Sequence, residues 1–158
     1  MEITSPEIKE TLNDLVLING DRIAGYEKAI EDLKSHEDNL TKNIDLIMLF
    51  KRMITESREH KKELANAVLA SGGPIAKGTT NSGKLYRAWV NVKAMVTGPE
   101  RHSIIAFCEG GEEAAQSAYE EAINEKEIPS YFKEMIIRQK TALRKSHNEI
   151  KSLKEMIE

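Results

Sequence analysis

The placement of proline constrains this chain more than any other feature. Only four prolines occur in 158 residues, at Pro6, Pro74, Pro99 and Pro129. The stretches between them are long, poor in glycine and periodic in apolar residues, a pattern of long helices rather than strands and turns. Ser5-Pro6-Glu7 reads as an N-cap, a proline at the first helical position and an acid in the first turn. A helix is predicted from there to Ser35, with Ile8, Leu12, Leu15, Ile23, Tyr26, Ile30 and Leu33 on its buried face. His36 to Asn43 is polar and predicts a loop. A second helix follows from Ile44 to Ser71, with Leu46, Phe50, Met53, Leu64 and Val68 on one face, and Gly72-Gly73-Pro74 stops it.

Residues 75 to 81 are turn-rich, and Leu85, Trp89, Val92 and Val96 then give a shorter helix from Ser82 to Val96 one apolar stripe. Trp89 is expected to pack this helix onto the rest of the fold. Gly98-Pro99-Glu100 opens a third long helix reaching Glu125, and Ile128-Pro129 separates it from a last helix running to Glu158. Gly110-Gly111 inside the third long helix predicts a distortion or a close helix contact. The second and third long helices are joined by about 25 residues, far more than antiparallel neighbours need. At 1.5 Å per residue the second long helix is about 42 Å long, and the connection is long enough to return along all of it. The third long helix is therefore expected to run parallel to the second. The predicted fold is all-α, a single domain over residues 1–158: a ferritin-like up-down-down-up four-helix bundle with a short fifth helix in the crossover.

Charge narrows the function classes. Twenty-three Lys and Arg oppose 26 Asp and Glu, with both signs interspersed, so there is no basic footprint for nucleic acid. The first residues are acidic where a secretory leader would be basic, and no apolar run approaches the length of a membrane span. A soluble, cytoplasmic chain is expected, with no membrane and no nucleic-acid partner. The lone Cys108 follows Ile104-Ile105-Ala106-Phe107 and reads as a small buried hydrophobe rather than a nucleophile. No phosphate-binding loop, paired cysteines or nucleophile elbow is present; Asn81-Ser82-Gly83-Lys84 lacks the spacing and the strand of a phosphate loop.

The apolar stripes fail at mid-helix. Asn19 falls on the core face of the first helix, Ser57 and His60 on that of the second, and Glu112 on that of the third; Gln139 lies on the last, with His147 at its edge. Pairing the first two helices antiparallel puts Asn19 level with His60. An ionised Glu112 in such a layer needs a cation or several donors. One reading is a hydrogen-bonded network of these six side chains with trapped water. The other is a metal site for iron or another transition metal, built from Glu27, His60, Glu112 and His147. Against a di-iron set, no Glu-x-x-His pair exists: Ser57 precedes His60 by three residues, and Arg144 precedes His147. Glu56, Glu59 and Glu113 are substitutes that sit equally well on a solvated face, Glu63 is given no role, and His36 and His102 are expected to be exposed. The network reading is preferred, with no cofactor and no catalytic residue.

Thr11-Leu12-Asn13-Asp14-Leu15, Gly25-Tyr26, Gly83 through Lys93 (GKLYRAWVNVK), Cys108-Glu109 and Gly111-Glu112 through Tyr119-Glu120 resemble a bacterial family of ferritin-like four-helix-bundle proteins described as a domain of unknown function. The resemblance covers nearly the whole chain. It implies the same fold and a bacterial, cytoplasmic origin, with no established reaction, cofactor or partner. This chain departs from the family pattern in extra residues near 36 to 43 and in His60, where an aromatic is expected. The expected role is non-catalytic, in protein interaction or stress, and an apolar surface left on any helix would favour a homodimer.

Overall fold

A computed structural model describes residues 6–34, 43–77, 101–126 and 128–157. They form four long helices: α1 (Pro6–Lys34), α2 (Ile44–Ala70), α3 (Arg101–Ile123) and α4 (Ser130–Ile157). The predicted boundaries hold to within a few residues wherever both ends are described. The 36–42 loop, the short helix over 82–96 with Trp89, and the capping Ser5 lie outside the described residues.

Helix directions follow from which residues meet. As α1 advances from Asn19 to Arg22, its α3 partners recede from Tyr119 to Glu112. Glu109 meets Lys154 and Glu120 meets Lys140, so α3 and α4 are antiparallel. Arg52 pairs with Glu149 and Glu63 with Arg138, so α2 and α4 are antiparallel as well. The α1 side chain of Asn13 holds the chain just after α2, donating to the Pro74 carbonyl at 3.0 Å and accepting from the Ala76 amide at 2.9 Å. Arg22, further along α1, faces Met53 and Ser57 further back on α2. The order is up-down-down-up, as the crossover length requires. At the start of both parallel helices, Arg101 reaches Asp45 through two nitrogens at 3.0 and 2.7 Å and Asn43 at 3.2 Å, clamping the beginning of α3 to that of α2.

The glycine stop after α2 is a Schellman motif: the Gly73 amide bonds the Val68 carbonyl at 2.8 Å and the Gly72 amide bonds the Leu69 carbonyl at 3.1 Å. Gly72 takes φ 104°, a left-handed conformation that a Cβ would strain. By contrast α3 runs unbroken through Gly110-Gly111, and Gly111 is buried, which fits a close helix contact rather than a distortion.

One core cluster draws on all four helices, including Leu12, Leu15, Tyr26, Phe50, Leu64, Ile105, Phe107, Ile136 and Leu143. The α1 stripe differs from expectation at one position. Ile23 is only partly buried, and Arg22 takes its place inside, fully buried. Apolar residues pack on both sides of the polar layer, with Ile8, Leu12 and Leu15 before it and Ala29, Ile30 and Leu33 after it on α1. Among the described residues no helix is long and apolar enough to cross a membrane.

Candidate functional site at mid-bundle

Two adjacent tiers of polar side chains cross the centre of the bundle. In the first, Arg22 from α1 donates through Nε to Glu112 Oε1 of α3 at 2.8 Å, and its Nη2 lies 2.8 Å from the same oxygen. Its Nη1 donates to Ser57 Oγ at 2.6 Å and lies 3.1 Å from Glu56 Oε1, both on α2. The Tyr26 hydroxyl, one turn along α1, also donates to Glu112 Oε1, and Ser146 of α4 donates to Glu56 Oε1 at 3.2 Å. All four helices therefore meet on one guanidinium and its two carboxylates. Tyr26 supports the arrangement twice over, since the Arg22 guanidinium carbon sits 5.4 Å from the centre of its ring.

The second tier begins one turn earlier on α1. Asn19 donates to the Tyr119 hydroxyl at 2.8 Å, and that hydroxyl donates to Gln139 Oε1 at 2.7 Å. Gln139 in turn donates to Glu63 Oε1 at 2.7 Å and to the His60 carbonyl at 3.3 Å. Glu63 ends the chain at the surface against Arg138, 2.6 Å away.

Burial sets the electrostatics. Arg22 and Glu112 are both inaccessible to solvent. Desolvation opposes charge on Arg22, but Glu112, Tyr26 and Glu56 overcome it and hold the guanidinium more firmly protonated than a free arginine. Burial pushes the Glu56 carboxyl up, against the pull of Arg22. The Tyr26 phenol is pushed well up by burial and by Glu112, so it stays a hydrogen-bond donor. His60 is pushed down to about 4 by burial, with Arg22 and Arg138 adding repulsion and Glu63 opposing them. It is therefore neutral at pH 7. Four buried atoms of the layer carry no hydrogen bond: Asn19 Oδ1, Glu112 Oε2, His60 Nδ1 and Arg22 Nη2, the last held only by its ion-pair contact with Glu112.

The sequence-derived candidates separate here. Glu112 lies in the layer as expected. His60 lies beside it but contributes its backbone carbonyl to the network, so the expected pairing of its side chain with Asn19 is replaced by Tyr119 and Gln139. Glu27 is exposed, in an open groove with Ile30, Glu31 and Lys34 on the outside of α1, because it follows inward-facing Tyr26 by one residue and so points away. His147 sits at the rim, 3.8 Å from Glu113, whose side chain is largely in solvent. Of the substitute carboxylates, Glu56 turns inward and Glu59 stays exposed. His102 is half-buried rather than exposed. Among the described residues no three His, Cys, Asp or Glu side chains are grouped to hold a metal ion. The inward carboxylates are instead occupied by a guanidinium, so these side chains do not fit the metal centre that a ferritin-like fold suggests. Sequence reasoning missed Arg22, Tyr26 and Tyr119 as polar members, and Glu63 as the end of the chain. The stripe 15, 19, 22, 26 is as regular as 15, 19, 23, 26, and would have placed Arg22 inside.

Residues 7–125, from the first turn of α1 to just beyond α3, match the family described as Domain of unknown function (DUF2383). The chain belongs to that family. The DUF2383 chain is also similar in structure to a point mutant of Mycobacterium smegmatis Dps1, with a TM-score of 0.78 at 12% identity over 94% of this chain and 95% of that one. At that identity the likeness speaks for the fold alone, a ferritin-like four-helix bundle. No curated protein sequence matches the DUF2383 chain.

Proposed function

We propose that this chain is a non-catalytic, cytoplasmic ferritin-like bundle whose polar layer serves the structure, and whose role lies in interaction with protein partners or in stress. The observation that carries the reading is Arg22: a fully buried guanidinium between Glu112 and Glu56 supplies the positive charge that buried carboxylates require. With that charge built in, the core needs no metal or other cofactor. The single cysteine is buried and free, in keeping with a cytoplasmic setting. The even balance of charge favours a protein partner, including a second copy of the chain, over nucleic acid.

The alternative is a metal-binding or iron-oxidising protein with a degenerate site, and one experiment separates the two. Protein purified without chelator is analysed for metals and assayed for aerobic iron(II) oxidation. The structural reading predicts no stoichiometric transition metal and an oxidation rate equal to that of buffer. Stoichiometric metal together with accelerated oxidation would establish the alternative.

A further inference from the structure

We propose that the outer groove between α1 and α3 is a docking site for residues 82–96 of the same chain, with Trp89 seated against Gly25 and Gly111. The inference identifies a covered face of the bundle and its occupant, and is independent of the role of the polar layer.

Burial on the far side of two helices carries it. Leu17 and Asp21 each lie two residues from Asn19, and at about 100° per residue both fall on the side of α1 opposite the core. Ser103 and Phe107, nine and five residues before Glu112, likewise fall on the far side of α3. Yet Leu17, Asp21, Ser103 and Phe107 are only 7, 0, 5 and 2% exposed, and the last three are each engaged in an interaction. Among the described helices, α1 packs only against α2 and α3, and α3 only against α1 and α4. The chain after α2 follows the Asn13 flank of α1, and α4 follows the Glu109 and Glu120 flank of α3. Neither covers these four side chains.

Reach decides what does. Residues 35–42 extend to about 28 Å at most, whereas returning from Lys34 to Asp21 and back takes about 40 Å. Residues 1–5 extend to about 17 Å and join α1 about 22 Å from Asp21. Residues 78–100 instead begin and end beside the groove: Pro74 and Ala76 are bonded to Asn13, one turn before Leu17, and Arg101 stands two residues before Ser103. Measured through the level at which Arg22 meets Glu112, Asn13 and Arg101 are about 30 Å apart along the bundle. A helix over 82–96 covers about 22 Å of that path, and the four residues on either side of it cover the rest.

Register and chemistry agree. Residue 89 is the midpoint of 78–100, and the midpoint of the path falls close to Gly25 and Gly111, both buried, with half-buried Ala114 beside them. Glycines there leave room for an indole, the largest apolar group on the stripe of Leu85, Trp89, Val92 and Val96. Lys84, Tyr86 and Lys93 border that stripe and can supply the donor that a buried acid such as Asp21 requires. A crossover docked in this way closes the α1 and α3 side to other partners. The large apolar side chains exposed among the described residues, Ile44, Met48, Leu69, Tyr131, Ile137 and Met156, all lie on α2 and α4.

Trp89 is the only tryptophan, so it reports its own position. The test uses the full chain with Lys28→Cys, on the outer side of α1 nine residues on from Asn19, or Lys62→Cys, on the exposed side of α2. Each is labelled with bimane, a fluorophore that contact with tryptophan quenches, and compared with its Trp89→Phe counterpart; circular dichroism checks that the helices stand. Cys108 is fully buried and stays unlabelled in the folded chain. The label at position 28 is expected to lose most of its emission and to regain it in Trp89→Phe, while the label at position 62 is equally bright in both. If Trp89→Phe does not fold, the two positions are compared with Trp89 in place, and position 28 should be the darker. The proposal is overturned if the label at 28 is as bright with Trp89 as without it, if the two positions are equally bright with Trp89 in place, or if the label at 62 is the one quenched.

Discussion

Arg22 and Glu112 lie on facing helices, are both fully buried, and meet through two guanidinium nitrogens 2.8 Å from a single carboxylate oxygen. A buried pair of this kind adds little net stability over a well-packed apolar pair, because desolvation offsets most of its attraction. Losing one partner is a different matter, since it strands the other charge in the core.

Arg22→Met and Glu112→Leu are therefore each expected to destabilise the chain by about 3–5 kcal/mol. The combined variant should be destabilised by much less than the sum of the two. Urea denaturation of all four members of the cycle measures the coupling.

Tyr119 tests the second tier. Its hydroxyl accepts from Asn19 and donates to Gln139, so Tyr119→Phe leaves two buried polar groups without that partner. A loss of about 1–3 kcal/mol is expected in the same denaturation assay. A surface pair makes the contrast: Arg52→Ala breaks only the exposed bond to Glu149 and should cost less than about 1 kcal/mol.

His60 gives the fold an acid limit. Its folded-state value of about 4 lies below the ordinary 6.5, so the unfolded chain takes up the proton first. Its contribution is present in full above pH 6.5 and is lost as pH falls towards 4, at a cost of about 1–3 kcal/mol. Thermal melts across that range should show a flatter decline for His60→Phe than for the wild type.

Cys108 is fully buried, and burial together with the neighbouring Glu112 pushes its thiol up. An aromatic disulfide reagent should leave the folded chain unmodified and react fully in denaturant. Fast labelling of the folded chain would mean that α3 opens readily.

Much of the fold was legible because its signals are local. Prolines and the Gly-Gly-Pro stop mark helix ends through backbone geometry, and the length of the crossover alone sets α3 parallel to α2. The polar layer was legible in outline, as gaps in four apolar stripes, and Glu112 was recognisable as a buried acid in need of a cation. The cation itself was not recognised. A lysine or arginine on a helix is ordinarily a solvated residue, so hydropathy assigns Ile23 rather than Arg22 to the stripe, and only the packing of α2 and α3 against α1 shows that the acid's counterion is already in the chain. Tyr26 and Tyr119 escaped for a related reason: periodicity registers the ring and not the hydroxyl. Glu63 lay beyond reach because its role depends on Gln139 and Arg138 arriving from α4, 75 or more residues away in sequence.

The central claim is that the core is closed by its own arginine, and the most direct measurement is the Tm of the wild-type chain in chelator against its Tm in excess iron(II), held anaerobic, or manganese(II). The two values are predicted to agree within about 1 °C, since a ligand without a site in the folded state cannot stabilise it. A rise of several degrees that disappears in Glu112→Gln would contradict the account and place a metal where Arg22 now sits.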